Sequence, residues 1–372
     1  MRRFLWDVSG AFGDIGVLFP LAVALIAKNG LNPTALFLMA GLFYIASAWY
    51  FKVTMPVQPL KAMSAIAIAA GLGAGVINAA GIIMGVLLFF IAFTGLSVRL
   101  GNIFPVSVIR GIQLGLGMLL FRTSIPLMDK NITLAAAVCI LLMMSLFLIK
   151  KMPPLIPILV LGAIIALRNV HSVSFGYVPF APEMPAMESL KTGFTMLVLP
   201  QLALTIGNAI VATEATGKIL YGDRSKNLTL KKIPISMSIA NLVSGFAGGA
   251  PMCHGCGGLT AHCKFGATNE RSGYIIGFFL ILLALLFGHS ALSIMSAFPS
   301  AILGVLLCAV GIQHALFIRD IIKEPLSLAI ALIVAILGFY TNNLTIGFAV
   351  GLAVHYTLTG FTKMKKYVLA NQ

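Results

Sequence analysis

A lysine, two glutamines, an asparagine and a histidine stand in stretches of this chain that otherwise read as buried apolar helix. Gln58 and Lys61 lie in VTMPVQPLKAMSAIA, from Val53 to Ala67. Gln201 and Asn208 lie in PQLALTIGNAIVAT, and Cys253, His254 and Gly255 in APMCHGCGGLTAHCKFGA, from Ala250 to Ala267. Neutral amides and an imidazole can donate hydrogen bonds to the oxygens of an anion without fixing a full charge. An ammonium beside a helix N-terminus adds positive potential to free amide donors, which suits the same ligand. Each group also has a plainer role: Lys61 could snorkel to the interface, and the neutral groups could satisfy unwound backbone. Asp14 and Glu214 bring a second chemistry, because carboxylates at membrane depth must be paired or protonated and so act as ion-pair partners or proton relays. An ion pair with Lys61 or Arg110 is the expected role of Asp14; for Glu214, pair and relay stand equal.

Two stretches must position these groups. Pro251 and glycines 255, 257 and 258 interrupt the second, and Pro56 and Pro59 interrupt the first. Irregular backbone is tolerated at membrane depth only where it is buried in protein or lines a watery cavity. Short, Pro/Gly-broken segments at corresponding places in two halves are the sequence sign of a transporter's binding site. On this reading a helix starts near Pro56 or Pro59 and carries Lys61 one turn in.

Composition sets the surroundings. The chain of 372 residues is 59% hydrophobic and 9% charged, with a mean hydropathy of +1.03, against about a quarter charged in soluble domains. A polytopic membrane protein is expected, with about fourteen apolar segments, several short or interrupted. The net charge of +15 is spread singly over loops rather than gathered in a patch, which speaks against nucleic acid as a partner. With the N-terminus in the cytoplasm, inside loops collect most cations, among them Arg2, Arg3, Lys150, Lys151, Lys231, Lys232, Arg319 and Lys323. The bias predicts both termini cytoplasmic in a multi-pass protein of the cell membrane. Residues 1–14 lack the pattern of a removable signal peptide.

In order, the expected spans are Phe12 to Ala27, Pro33 to Phe51, the broken third, Val76 to Val98, Ile103 to Phe121, Ile132 to Ile149 and Pro154 to Leu167. A Pro-rich acidic loop over 169–192 divides this first unit, 1–168, from a second, 193–372. The second runs Phe194 to Thr216, Ile233 to Gly249, the broken segment, Ser272 to Gly288, Ile294 to Gln313, Leu326 to Tyr340 and Leu344 to Phe361. FPVSVIRGIQLGLG from Phe104 matches FPSAILGVLLCAVG from Phe298, a shift of 194 residues that sets Gly117 on Gly311. The same shift sets Asp14 on Asn208, and Pro56 meets Pro251 at 195. An odd number of spans per repeat makes the repeats inverted.

With these residues in hand, the chain resembles the molybdate transporter branch of the sulfate permease superfamily. The matching pieces are FGDIGVLFPL at Phe12, MPVQPLKAMSA at Met55, PQLALTIGNAIVAT at Pro200 and PMCHGCGGLTAHCKFGA at Pro251. The resemblance implies an all-α protein of seven plus seven inverted spans, with core and gate bundles and substrate held between the facing ends of broken spans three and ten. It implies a secondary transporter of a tetrahedral oxyanion, molybdate first and sulfate as the alternative, coupled to protons and working by alternating access. Unlike the larger sulfate permeases, the sequence stops just after its last span, which predicts no cytoplasmic regulatory domain. Expected partners are the oxyanion, protons, the lipid bilayer and a second copy in a homodimer. A nucleobase permease shares the architecture and stands further off, as does an anion channel, which needs a pore lined by basic rings.

No cofactor or metal is expected. Cys253, Cys256 and Cys263 with His254 and His262 offer one Cys-x-x-Cys where a structural zinc site wants a closed set of four ligands. The glycines at 71, 73, 75, 81 and 85 lack the strand-then-helix context of a phosphate loop, and read as close helix packing. Neither a catalytic constellation nor an ATP-binding motif is present, so the expected chemistry is translocation rather than an enzyme's bond making.

Overall fold

Apolar runs of about twenty residues can satisfy their backbone in lipid only as helices, and most of the described residues are helical. The structure, a computed structural model, describes residues 2–13, 15–96, 104–148, 156–170 and 175–370. A first helix, α1 (Arg2–Ala11), precedes α2 (Ile15–Asn29) and α3 (Pro33–Phe51), and a two-residue strand β1 (Gln58–Pro59) leads into the short α4 (Lys61–Ala70). Then come α5 (Ala74–Thr94), α6 (Val106–Asp129), α7 (Ile132–Leu148) and α8 (Ile156–Asn169). The long α9 (Met187–Asn227) contains two π turns, Gly193–Val198 and Thr205–Val211. It is followed by α10 (Lys232–Phe246), strand β2 (Met252–Cys253), the short α11 (Cys256–Lys264), α12 (Arg271–Ala297), α13 (Ser300–Ala315), α14 (Pro325–Tyr340) and α15 (Leu344–Ala370).

Among the described residues, six helical stretches are long and apolar enough to cross a membrane: Pro33–Phe51, Ala74–Thr94, Val106–Asp129, Met187–Asn227, Arg271–Ala291 and Ser300–Ile321. The chain is a multi-pass membrane protein. Large apolar side chains such as Phe90, Phe93, Ile140 and Phe278 point outward at 60% exposure or more, as a lipid-facing surface requires.

Two boundaries and one added element differ from the sequence expectation. The connecting loop ends early, because residues 187–192 are already helical, with Glu188 in the first turn where a carboxylate favours the helix dipole. The break expected between Gly288 and Ile294 falls instead beside Pro299, since α12 runs on to Ala297 and the proline caps α13. The strands β1 and β2 add a small extended element to an otherwise helical fold. Asp14 and the ends of the spans expected at Val98, Ile103, Ile149 and Pro154 lie outside the described residues.

Helix pairs meet reciprocally: α3 packs on α12 as α5 packs on α10, and α6 packs on α13. Glycines let the backbones approach. A Cβ on Gly41 would lie 2.6 Å from the Gly277 carbonyl oxygen, and one on Gly117 would lie 2.6 Å from the Gly311 carbonyl oxygen. Gly117→Leu must therefore push α6 and α13 apart. It is expected to destabilise by about 1–3 kcal/mol, read as a lowered unfolding temperature of the purified protein in detergent.

Candidate functional site

The two broken segments come together. Gln58 pairs with Cys253 and Pro59 with Met252 in an antiparallel ladder, and the Leu60 amide donates to the Pro251 carbonyl at 2.7 Å. A residue before proline is driven out of the α region, so Gln58 is extended and the helix begins only after Pro59. The expected start near Pro56 or Pro59 is thus corrected: α4 opens at Lys61 itself, with Leu60 as its cap. Glycine 255 caps α11 with no side-chain hydrogen bond, leaving the amides of Cys256, Gly257 and Gly258 at a helix N-terminus. A Cβ built on Gly255 would sit 3.7 Å from the Lys61 ammonium and 3.3 Å from Gln58 Oε1, and one on Gly257 would sit 3.9 Å from the ammonium. Lys61 therefore begins one broken helix and lies against the start of the other. Among the described residues no carboxylate forms an ion pair with it.

The neutral groups divide into two sets. Gln201, in α9, accepts from the amides of Ala62 at 2.9 Å and Met63 at 3.1 Å while its own amide donates to Thr205 at 3.0 Å. It caps α4 through its oxygen and spends one of its two amide N–H groups on Thr205. His254 is 2% exposed and spends both ring nitrogens on protein, Nδ1 on the Pro56 carbonyl at 2.7 Å and Nε2 on Ser236 Oγ at 2.9 Å. A carbonyl can only accept, so the proton sits on Nδ1 and Nε2 accepts from the serine hydroxyl in the neutral ring. Gln201 and His254 thus meet backbone groups of the first broken segment, Gln201 at the start of α4 and His254 at Pro56. Asn208 differs: it is half-buried and accepts from the Cys256 thiol at 2.9 Å, so its amide nitrogen stands beside the α11 N-terminus. Cys253 is buried within β2.

Sequence reading missed the residues that lock the second segment. Asn241 of α10 donates to the Met252 carbonyl at 2.7 Å and accepts from the Met252 amide at 3.0 Å. The Thr213 hydroxyl bridges the carbonyls of Asn208, at 3.1 Å, and His254, at 2.9 Å. The first of these spans five residues, the reach that the π turn over Thr205–Val211 opens. The polar residues of α10, including Asn241 and Ser236, were the available signal.

Glu214 has a partner within its own helix. Glu214 bonds Lys218 one turn on, at 3.0 Å, with its side chain 17% exposed. Arg110, considered as a partner for Asp14, pairs with Asp320 at 2.5 Å.

The geometry amounts to two helix N-termini and an ammonium gathered around paired, unwound backbone, an arrangement that favours an anion. The family model described as "Molybdate transporter of MFS superfamily" matches residues 7–120 and 193–313, more than half of the chain. This chain belongs to the molybdate transporter family. It is 27% identical to "Molybdate transporter 2" of Arabidopsis thaliana over 95% of its own length and 87% of that protein's. It is 24% identical to "Molybdate transporter 1" of Chlamydomonas reinhardtii over 93% of its length and 90% of that protein's. Its fold is similar to the transmembrane domain of a cyanobacterial bicarbonate transporter, BicA, with a TM-score of 0.66 at 18% identity over 94% of this chain and 98% of that one. Membership makes the chain a transport protein, not an enzyme. Within the family match fall both broken segments, Lys61, Gln201 and Asn208.

Proposed function

We propose that the chain is a secondary transporter that carries molybdate, a tetrahedral dianion, by alternating access with proton coupling. The observation that carries the reading is the position of Lys61, at the start of α4 and against glycines 255 and 257 at the start of α11. Each helix N-terminus contributes about half a positive charge, so the three together offer roughly two charges to a dianion. The relatives named as molybdate transporters point to the same substrate. A neutral planar nucleobase would gain little from such a site. Substrate donors on this reading are Lys61, the amides that follow Gly255, and the amide groups of Asn208 and Gln58.

The proposed architecture is two inverted repeats of seven segments, 1–168 and 193–372, flanking the connection. Two pairings support it. Gln58 pairs in β1 with Cys253, its own equivalent at a shift of 195, and Gly117 touches Gly311, its equivalent at 194. Self-paired equivalents are what a local two-fold axis produces. Core and gate would then be the bundles that rock around the paired strands, and the charge bias of the loops argues for cytoplasmic termini at the cell membrane.

Uptake into proteoliposomes tests the substrate. Labelled molybdate should accumulate, with tungstate competing strongly, sulfate less and uracil not at all. Strong uracil competition without an oxyanion effect would overturn the reading, and non-saturating flux independent of any gradient would indicate a channel. Glu214 is the proposed coupling carboxylate. Glu214→Gln keeps the size and hydrogen-bonding capacity but removes the titratable proton. Molybdate binding should survive while accumulation driven by a pH gradient falls; unchanged accumulation at every pH would leave Glu214 only its bond to Lys218.

A further inference from the structure

Lys61 carries one formal charge and the proposed substrate two, and the helix N-termini add partial charges only, so a second full cation near the site has a physical use. Arg110 stands in the second turn of α6, and its neighbour Ile109 reaches to 3.0 Å from the position of a Cβ on Gly207, next to Asn208. α6 packs directly on α4, the helix that Lys61 opens. The guanidinium has one anionic partner among the described residues. One Nη is 2.5 Å from Asp320 Oδ2, the other donates to Gln113 at 2.9 Å, and the plane lies over the Phe317 ring at 5.2 Å. Its Nε is buried with no acceptor among the described residues. Asp320 belongs to the 3-10 turn Leu316–Ile321 that follows α13, and its side chain is 52% exposed against 20% for Arg110.

This pair is unequal. A guanidinium among apolar helices needs an anionic partner, whereas a carboxylate half in water gains little from the contact and gives it up at little cost. The planar fork of arginine matches two oxygens of an oxyanion as well as it matches a carboxylate. Together with Lys61 it would bring the net charge of a bound dianion to zero, which lowers the cost of moving that dianion through a low-dielectric path. From this geometry we infer that Arg110 is a second oxyanion-binding cation, on the α6 wall of the site, and that Asp320 is an internal competitor for its fork. The inference rests on the oxyanion reading above and adds a gate-side residue to it.

Removing the competitor and removing the cation must then act in opposite directions. Molybdate binding to the purified full chain, measured by calorimetry beside thermal unfolding, should tighten roughly two- to fivefold in Asp320→Asn, the range set by a partly exposed ion pair. Binding should weaken by about tenfold or more in Arg110→Gln, as expected for loss of a charge-assisted contact. The double variant should bind like Arg110→Gln, and Arg110→Lys should fall between, because it keeps the charge but not the fork. Equal losses of unfolding temperature with unchanged affinity in both single variants would make the pair a structural lock and overturn the inference. So would weaker binding in Asp320→Asn, a half-exposed position where the fold is little at risk. Failure of the parent chain to bind any oxyanion would instead bring down the oxyanion reading itself, and this inference with it.

Discussion

Lys61→Met is expected to weaken molybdate binding by roughly ten- to a hundredfold while leaving the protein folded. The substitution keeps much of the apolar stem and deletes the ammonium that lies against glycines 255 and 257. A dianion entering the site loses solvation that two helix N-termini replace only in part. Two of the α4 amides, those of Ala62 and Met63, are already taken by Gln201, so α4 offers fewer free donors than its position suggests. The ammonium is then the largest single contribution, on the order of 1.5–3 kcal/mol for a charge-assisted hydrogen bond; each 1.4 kcal/mol is a factor of ten. Lys61→Arg should be milder but not neutral, because the fork is bulkier and presents its donors differently. Calorimetry on the folded variant decides the matter. If Lys61→Met binds as the parent does, the anion is held by the α11 amides and Asn208, and Lys61 serves packing or snorkelling instead.

The parts of this site that were legible in the sequence are those set by local chemistry. Prolines at 56, 59 and 251 and glycines at 255, 257 and 258, clustered this closely, weaken a membrane helix, so the two breaks are signalled by residue type. A lysine inside an apolar run marks itself. What local chemistry could not supply is the partner of each polar group. Gln201 and Asn208 were equally plausible donors to a ligand, yet Gln201 faces α4 across 139 positions and Asn208 faces the start of α11. Which of them meets backbone is decided by tertiary packing and by the π turn between them. The same holds for Arg110, whose carboxylate is 210 positions away in a loop. The break expected between the fourth and fifth spans of the second half falls later than Gly288, because Gly288, His289 and Ser290 continue the helix. Gly288 sits instead against Thr34 and Tyr177, in a crossing too tight for a side chain.

Gln201 gives the sharpest contrast between a residue that binds and one that positions. Gln201→Leu keeps the approximate volume and removes the acceptor shared by the Ala62 and Met63 amides, both of which are buried. Each unsatisfied buried amide costs about 1–3 kcal/mol, so a loss of about 2–6 kcal/mol is expected, a large share of a typical folding free energy of about 5–15 kcal/mol. The variant should unfold at a markedly lower temperature or fail to accumulate in the membrane. Gln201→Glu separates the two roles. Its carboxylate still accepts from both amides, sits favourably at a helix N-terminus, and can accept from the Thr205 hydroxyl in place of donating to it. Stability should therefore stay close to that of the parent. Binding should not, because a negative charge now stands at the same helix end as Lys61 and repels the dianion by more than about 1.4 kcal/mol, a factor of ten or more. Thermal unfolding and molybdate titration of the two variants, run side by side, carry the test. A Gln201→Leu protein that is as stable as the parent but does not bind would make Gln201 a direct ligand of the substrate, and α4 would then need another cap.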